Sequence, residues 1–145
     1  MTLLDTNVLL YATFEGFPEH ARARELLREI AEDGAPHCVT WVNLFEYVRA
    51  ATHRRMLRPA PLPFELALDN VVDLLDHPSV SRIDPGPRHL EVFRDLCREA
   101  GVVEGNFVHD CRIAAIMREN AVSRILTRDT SFRRIPGLEV LDPFA

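Results

Sequence analysis

Short apolar segments alternate with longer amphipathic segments along the whole chain, and this alternation limits the folds open to it. Five apolar segments have the length of strands: residues 1–4, 37–40, 80–83, 124–127 and 138–141. Helical patterns fill the intervals, and such alternation is typical of a parallel sheet covered by helices on both faces. The sequence therefore predicts an α/β fold, a three-layer α/β/α sandwich around a central, mainly parallel sheet.

The helical segments carry start and stop signals. Predicted helices cover residues 7–14, 18–33, 41–52, 64–76, 87–101 and 106–121. Pro18 fits the first turn of the second helix, and Gly34 is placed to end it. In the third helix the side chains predicted to face inward are those of Leu44, Phe45, Val48 and Ala51.

The length of 145 residues is that of one domain and too short for two well-formed cores. Pro59, Pro61 and Pro63 interrupt the chain near its middle. They mark a loop rather than a domain boundary, because neither flank could fold alone. We therefore expect residues 1–145 to form a single domain.

Composition restricts the environment of the chain. Hydrophobic residues make up 47% and charged residues 27%, which favours a folded globular protein over a disordered one. No apolar run approaches the roughly 20 residues that span a bilayer. No basic residue precedes the first apolar stretch, and Asp5 lies inside it, which argues against a signal peptide. We expect a cytoplasmic protein without a membrane partner.

Charge and cysteine content exclude several kinds of site. The net charge of −5 argues against nucleic-acid binding through bulk positive charge. All 17 basic residues are arginine, so mechanisms that require a lysine are excluded. Cys38, Cys97 and Cys111 are odd in number and lack CxxC spacing, so we interpret them as small buried side chains rather than zinc ligands.

Four acidic residues occupy positions that suit a metal site. Asp5 and Asp129 follow short apolar runs, whereas Glu46 and Asp110 interrupt apolar helical patterns. In parallel sheets, sites form outside the carboxyl ends of the strands, where Asp5 and Asp129 are expected. Mg²⁺ and Mn²⁺ prefer oxygen ligands and can activate water and neutralise phosphate. The pattern therefore indicates metal-assisted phosphodiester chemistry.

Asp110 lies in line with an apolar stripe rather than on the polar face of its helix. The residues three before it and three, four and seven after it are Phe107, Ile113, Ala114 and Met117. A carboxylate near the core is costly unless a partner stabilises its charge. This placement favours a site role.

Each acid also has an ordinary structural interpretation. Asp5 can cap the helix that follows it, and Asp129 can serve in a turn. Asp110 can be a helix-start acid, and Glu46 can pair with Arg49. These interpretations remain open singly, but they account poorly for all four acids together.

Neighbouring polar residues extend the predicted site. Thr127 lies two residues before Asp129, where its hydroxyl could orient a water or a phosphate. Thr6 and Asn7 could orient the carboxylates. His109 precedes Asp110, but adjacent helical residues point about 100° apart, so it need not face a metal.

Arginines and aromatic residues surround these positions. Two basic clusters that could contact an RNA backbone consist of Arg49, Arg54, Arg55 and Arg58, and of Arg128, Arg133 and Arg134. Alternatively, these arginines are ordinary solvated charges on the protein surface. The aromatic residues that could pack beneath the site or line a groove for a partner helix are Phe14, Phe17, Trp41, Phe45 and Tyr47.

Several motifs, in their order along the chain, resemble the PIN-domain ribonucleases. They are the opening Leu-Leu-Asp-Thr-Asn-Val-Leu-Leu, Glu46 followed by Arg49, Asn-Phe-Val-His-Asp-Cys-Arg-Ile-Ala-Ala, and Leu-Thr-Arg-Asp-Thr-Ser-Phe-Arg-Arg. The resemblance covers essentially the whole chain and is strongest to VapC-type toxins of bacterial toxin–antitoxin pairs. It implies a single PIN-like nuclease domain over residues 1–145.

By this resemblance Asp5, Glu46, Asp110 and Asp129 form the acidic quartet of the site. Asp5 and Asp110 correspond to the most direct metal ligands, and Thr127 to the hydroxyl residue of the last motif. The resemblance further implies Mg²⁺ or Mn²⁺ as the cofactor, RNA as the substrate, a homodimer, and a VapB-like antitoxin as the partner. The expected function is that of a metal-dependent endoribonuclease.

Two other classes of protein fit the sequence poorly. A phosphatase of the haloacid dehalogenase type also begins with Asp after a strand, but it needs a second Asp where this chain has Asn7, and it needs a lysine. A response-regulator receiver domain also requires a lysine, so the absence of lysine argues against that class as well. The remaining alternative is a non-catalytic PIN-fold binding module that holds a partner protein through its acidic centre.

Overall fold

A computed structural model describes residues 1–54 and 60–145. Arg55, Arg58 and Pro59, assigned from sequence to a basic cluster and a loop, lie outside the described residues. The five strands are β1 (Thr2–Leu4), β2 (His37–Val39), β3 (Val80–Arg82), β4 (Arg124–Leu126) and β5 (Glu139–Leu141). They form one sheet in the order β3-β2-β1-β4-β5, and every neighbouring pair is parallel. The predicted α/β fold is confirmed.

Helices connect the strands and cover the sheet. Those in the described part of the chain are α1 (Thr6–Thr13), α2 (His20–Asp33), α3 (Trp41–Ala51), α4 (Phe64–Asp76), α5 (His89–Ala100) and α6 (Phe107–Glu119). A short 3-10 helix, Thr130–Arg134, follows β4 and was not predicted. None of these helices combines the length and apolar character needed to cross a membrane.

The two faces of the sheet belong to separate core clusters. Successive side chains of a strand point to opposite faces, so Leu3 and Leu4 of β1 enter different layers. Leu3 packs in a cluster with residues of α5 and α6. Leu4 packs in a cluster with residues of α1, α2, α3 and α4. This arrangement is the predicted three-layer sandwich.

The helix ends follow the predicted signals with small shifts. Gly34 ends α2 in a left-handed conformation, with φ of 66°, which glycine adopts without steric cost. Pro18 lies in the turn before α2 rather than in its first turn, because the helix begins at His20.

Cys38 and Cys111 are buried free thiols, as predicted, whereas Cys97 is half-buried.

The prediction that Phe45 faces inward is wrong. Leu44, Val48 and Ala51 recur at helical spacing and are buried, but the Phe45 side chain is 63% exposed. One residue along a helix is a rotation of about 100°, which turns Phe45 away from the core-facing stripe. It lies instead on the same side of α3 as Trp41.

Candidate active site

The carboxyl edge of the sheet brings Asp5 and Thr127 into contact. Asp5 follows β1 and Thr127 follows β4, the strand that pairs with β1. Thr127 Oγ1 donates a hydrogen bond of 2.6 Å to Asp5 Oδ2. Only 6% of Asp5 and 1% of Thr127 are exposed. Two residues far apart in sequence are thus direct neighbours.

The hydroxyl proton of Thr127 is committed to Asp5. The Thr127 oxygen accepts hydrogen bonds from the Asn7 side-chain amide and from the Asp129 backbone N–H, each of 2.9 Å. Because a hydroxyl carries one proton and two lone pairs, those two bonds direct the proton to Asp5. Asn7 Nδ2 also contacts Asp5 Oδ2, at 3.1 Å. Thr127 and Asn7 therefore orient the Asp5 carboxylate.

The other oxygen of Asp5 is bound by α1 and α3. Asp5 Oδ1 accepts from the Thr6 N–H at 2.8 Å and from Asn43 Nδ2 at 3.2 Å. Asn43 is fully buried, and its Oδ1 accepts from the Thr40 N–H at 3.1 Å, so its NH₂ group must face Asp5. The capping interpretation of Asp5 is confirmed. It does not compete with a site role, because one carboxylate both caps α1 and faces the site.

Glu46 reaches the same region from α3. The Thr6 hydroxyl donates to Glu46 Oε2 at 3.1 Å and also lies 3.2 Å from the Asn43 carbonyl oxygen. Within residues 1–54 and 60–145, no ion pair joins Glu46 to Arg49, so the proposed salt bridge is not observed. Thr6 thus connects the Glu46 carboxylate to the start of α1.

Ser131 joins the two remaining acids. Its hydroxyl donates to Asp110 Oδ2 at 2.6 Å, and its backbone N–H donates to Asp129 Oδ1 at 2.8 Å. Asp129 therefore caps the 3-10 helix, which confirms its interpretation as a turn residue. Asp110 is half-buried and Asp129 is exposed. The side of the site formed by α6 and the 3-10 helix is more open to solvent than the Asp5 side.

Burial dominates the electrostatics of Asp5. The pKa of Asp5 is raised from 3.8 to about 6, chiefly by this burial, while the hydrogen bonds from Thr127 and from the Thr6 N–H act in the opposite direction. The negative charges of Glu46 and Asp110 make smaller contributions to the raised pKa. Because the donors around Asp5 are neutral groups, nothing among them balances its negative charge.

Asp110 is shifted in the same direction. Burial raises the pKa of Asp110, the Ser131 hydrogen bond lowers it, and the charges of Asp129 and Glu46 raise it. Each carboxylate of the quartet therefore lies within the electrostatic reach of at least one other. In the described chain, none of the four takes part in an ion pair with an arginine. A cation is the natural counter-charge for such a centre.

The donor chemistry fits a hard divalent cation. The centre offers carboxylate oxygens, the ligand type that Mg²⁺ and Mn²⁺ prefer. In the parts of the chain that are described, no three His, Cys, Asp or Glu side chains are gathered as a preformed metal cage. Mg²⁺ does not require one, because it uses one or two carboxylates and retains several waters. Asp5 and Asp110 are the side chains with most to gain from such an ion.

The arginines near the site have different partners. Arg128 pairs with Glu19, and Arg134 lies over the Phe107 ring with 3.9 Å between its Cζ and the ring centroid. Arg49 and Arg133 are exposed. The arginine clusters are therefore only partly available to a phosphate backbone.

The remaining residues singled out from the sequence, His109 and the five aromatic residues, differ in their exposure to solvent. His109 is exposed, and its charge slightly lowers the pKa of Asp110. Phe14 and Tyr47 are buried, whereas Trp41 and Phe45 are exposed and stack on each other. The aromatic residues therefore do not line one groove.

Two polar residues of the centre were missed by sequence reasoning. Asn43 stands three residues after Thr40, a spacing that indicates a helix cap and conceals the contact with Asp5. Ser131 lies within the last motif, two residues after Asp129, but nothing local relates it to Asp110. Only the packing of α6 against the 3-10 helix brings Ser131 to that carboxylate.

The profile of the PIN domain matches residues 2–138. This range contains all four acids, and the chain belongs to the PIN-domain family. Within that family it is similar over its full length to VapC ribonucleases. Ribonuclease VapC33 of Mycobacterium tuberculosis is 34% identical over 143 residues, covering 99% of this chain and 98% of the relative. Ribonuclease VapC48 of the same organism is 30% identical, covering 97% and 96%.

Solved structures share the fold at lower identity. The VapBC2 complex of Rickettsia felis, bound to a promoter DNA fragment, includes a chain with a TM-score of 0.67 and 19% identity, covering 97% of this chain and 96% of its own. VapC20 of Mycobacterium tuberculosis, described as a toxin that cleaves the sarcin–ricin loop, has a TM-score of 0.62 and 19% identity, covering 92% and 93%. These neighbours confirm the PIN-like arrangement of sheet and helices.

Proposed function

We propose that the acidic centre of this VapC ribonuclease hydrolyses RNA phosphodiester bonds with the help of Mg²⁺ or Mn²⁺. The protein is the toxin of a toxin–antitoxin pair, as its full-length similarity to VapC ribonucleases indicates. The observation that carries the metal-dependent mechanism is the buried Asp5 carboxylate, oriented by four neutral donors, with no cationic side chain among them.

Asp5 and Asp110 would hold the ion, and Glu46 and Asp129 would complete its acidic surroundings. A bound divalent ion activates a water and neutralises the phosphate. Asn43, Asn7 and Thr127 keep both Asp5 oxygens in place. In the proposed reaction a water oxygen bonds to phosphorus, the bond from phosphorus to the 3′ oxygen breaks, and that oxygen takes a proton. The products are a 5′-phosphate and a 3′-hydroxyl.

Residues 1–145 are proposed to act as one nuclease domain. Asp5 and Glu46 come from β1 and α3, and Asp110 and Asp129 come from α6 and the segment after β4. Both core clusters pack on the same sheet, so the halves of the site share one framework. We propose that the protein acts in the cytoplasm, where cellular RNA is available as a substrate.

The proposed antitoxin partner fits a groove between α2 and α4. The groove has a volume of about 1180 Å³ and is lined by Leu27, Ile30, Leu66 and Leu74 together with Arg and Glu side chains. An aliphatic floor with charged margins suits the apolar face of an amphipathic helix. A homodimer is the further proposed assembly, and sedimentation of the isolated protein would test it.

Cleavage of total cellular RNA tests the proposed function. Purified chain is incubated with Mg²⁺, with Mn²⁺ or with chelator, alongside Asp5→Asn. Asp69→Asn, which changes an exposed acid on α4, serves as the matched control. We expect discrete fragments that require metal, persist with Asp69→Asn and disappear with Asp5→Asn. A folded, partner-free protein that cleaves no RNA would instead favour the non-catalytic binding module.

A further inference from the structure

Two exposed aromatic rings stack on each other beside the acidic centre. Trp41 and Phe45 lie one turn apart on α3, with ring centroids 5.4 Å apart and ring planes inclined by 21°. Their exposed fractions are 39% and 63%. We call this pair the Trp41–Phe45 platform. A pair of large rings held face to face in solvent has an open face for a further planar group.

The platform is supported from the neighbouring strand. The Arg82 guanidinium lies over the Trp41 ring, with 4.5 Å between Cζ and the ring centroid. Arg82 is itself held by Asp84, through hydrogen bonds of 3.0 Å from Nε and 2.8 Å from Nη2. Because Trp41 already has two planar partners, Phe45 presents the open end of the stack. The rings are thus arranged before any ligand arrives.

The platform lies at the same edge of the sheet as the acidic centre. Trp41 begins α3 immediately after the β2 segment, and Arg82 is the last residue of β3. Asp5 follows β1, which pairs with β2. Phe45 directly precedes Glu46 in α3. A strand of nucleic acid entering the acidic centre from the β3 side would therefore pass the platform before it reaches Glu46.

A cation continues the platform along the helix. Arg49 is one turn beyond Phe45 and is exposed. In the part of the chain that the structure describes, Arg49 takes part in no ion pair. Successive turns of α3 therefore expose two aromatic side chains, Trp41 and Phe45, and then the cationic side chain of Arg49. This composition differs from the aliphatic groove between α2 and α4.

We propose that the Trp41–Phe45 platform stacks an unpaired base of the RNA substrate while Arg49 contacts its phosphate. This inference rests on the proposed function and identifies where on the protein one base of the RNA would bind. Aromatic rings can stack on nucleobases, because every base has a π face. Arginines beside the rings can bind the backbone, because every phosphodiester group carries a negative charge. An apolar protein surface would instead have to desolvate Arg49, which has no acidic partner among the described residues.

The fluorescence of Trp41 reports directly on the platform, because Trp41 is the only tryptophan in the chain. The full chain is titrated with a single-stranded RNA 12-mer in chelator, which keeps the RNA intact. An oligomer with the same backbone but abasic sugars is titrated in parallel. We expect saturable quenching by the RNA and little by the abasic oligomer. Equal quenching by both, or none by either, would overturn base stacking.

Substitution of Phe45 separates stacking from apolar contact. Phe45→Ala and Phe45→Leu should each weaken RNA binding about tenfold, since stacking one base on an aromatic ring contributes on that scale. Phe45→Tyr should bind like the wild type. Phe64→Ala removes a ring of similar exposure, 56%, on α4 and should change nothing. Circular dichroism establishes that each variant is folded. Full binding by Phe45→Leu would refute the proposal.

Cleavage assays distinguish this inference from the function on which it rests. With Mg²⁺, Phe45→Ala should raise KM for a single-stranded substrate about tenfold and leave kcat nearly unchanged. A wild type that cleaves RNA, combined with an unchanged KM in Phe45→Ala, would refute the platform and preserve the nuclease. Quenching by RNA without any cleavage would refute the nuclease and preserve the platform. Trp41 fluorescence that changes with protein dilution and not with RNA would assign the surface to a contact between copies.

Discussion

The two sides of the acidic centre are held in different ways. Asp5 is buried and accepts hydrogen bonds from four neutral donors supplied by α1, α3 and the end of β4. Asp110 is half-buried and accepts one hydrogen bond, from Ser131. Asp129, beside it, is exposed and caps the 3-10 helix. One side of the centre is built into the framework, and the other faces solvent.

This difference separates two tasks that a metal-dependent site must perform. The Asp5 side keeps a carboxylate in a fixed orientation, at the cost of burying its charge. The Asp110 side is more open to solvent, as a site for a hydrated ion and a phosphate would require. We expect substitutions on the Asp5 side to affect both folding and activity. Substitutions on the Asp110 side should affect activity with little change in stability.

The largest expected effect is the loss of activity in Asp110→Asn. Losing a carboxylate that we propose as a metal ligand should lower cleavage more than about a hundredfold, beyond the 10–100-fold typical of residues that only support a ligand. The melting temperature should change little, because Asp110 is half-buried and has a single hydrogen bond. RNA cleavage and thermal unfolding measured on the same preparation test both parts. Substantial remaining activity would remove Asp110 from the metal site.

The second effect is a pH dependence of stability that originates on the Asp5 side. The folded-state pKa of Asp5 is about 6 and its ordinary value is 3.8, so the folded protein binds this proton more tightly than the unfolded chain. The stabilisation is therefore complete below pH 3.8 and is lost as the pH rises through 6. Its size is on the order of 3 kcal/mol.

Urea unfolding of the metal-free protein between pH 4 and 7.5 measures this contribution as the difference between the wild type and Asp5→Asn. The wild type should lose stability relative to Asp5→Asn as the pH rises. Mg²⁺ should reduce the loss, because a bound cation favours the ionised carboxylate. A difference that does not vary with pH would contradict the assigned burial of the charge.

A third prediction concerns the Thr127 hydroxyl, which links the residues that follow β1 and β4. Thr127→Val keeps the shape of the side chain but removes the donor to Asp5 and the oxygen that accepts from the Asn7 amide and from the Asp129 N–H. We expect a loss of about 1–3 kcal/mol in the free energy of unfolding and a 10–100-fold loss of cleavage. Thr127→Ser retains the hydroxyl and should recover most of both. Equal behaviour of the Val and Ser variants would show that the hydroxyl is dispensable.

The smallest effect is expected for Ser131→Ala on the open side. This change removes one hydrogen bond to Asp110 and leaves the backbone bond to Asp129 in place. The free energy of unfolding should fall by about 0.5–1.5 kcal/mol. Ser81→Ala, at an exposed position of β3, is the control. A larger loss of unfolding free energy in Ser131→Ala than in Thr127→Val would contradict the conclusion that the Asp5 side contributes more to stability than the Asp110 side.

Local sequence signals were sufficient to predict the fold, because the helices and strands depend on the periodicity and backbone preferences of short segments. Alternation of apolar and amphipathic segments predicted all five strands, and each predicted helix is present with end shifts of one or two residues. Gly34 marked a helix end because its backbone conformation is local. The 3-10 helix at Thr130–Arg134 lacked such a signal, since five residues are too few for a periodic pattern.

The candidate site was predictable in part. Asp5 and Asp129 were placed at one edge of the sheet because each follows a strand and parallel strands share their carboxyl edge. Asn43 and Ser131 were missed because their partners, Asp5 and Asp110, are distant in sequence. Phe45 was assigned to the wrong side of α3, since an apolar residue beside an apolar stripe has no local signal of exposure. The roles assigned to the acids remain predictions.

The sequence by itself determined the order of the elements, the parallel sheet and the identity of the four acids. These depend on periodicity and on residue type, which are properties of short segments. The tertiary structure alone decided which acid is buried, which donors surround it and which aromatic rings meet solvent. Those outcomes depend on contacts between β1 and β4, between α3 and α1, and between α6 and the 3-10 helix. Burial and hydrogen bonding across such distances set the pKa of Asp5, and no local pattern encodes them.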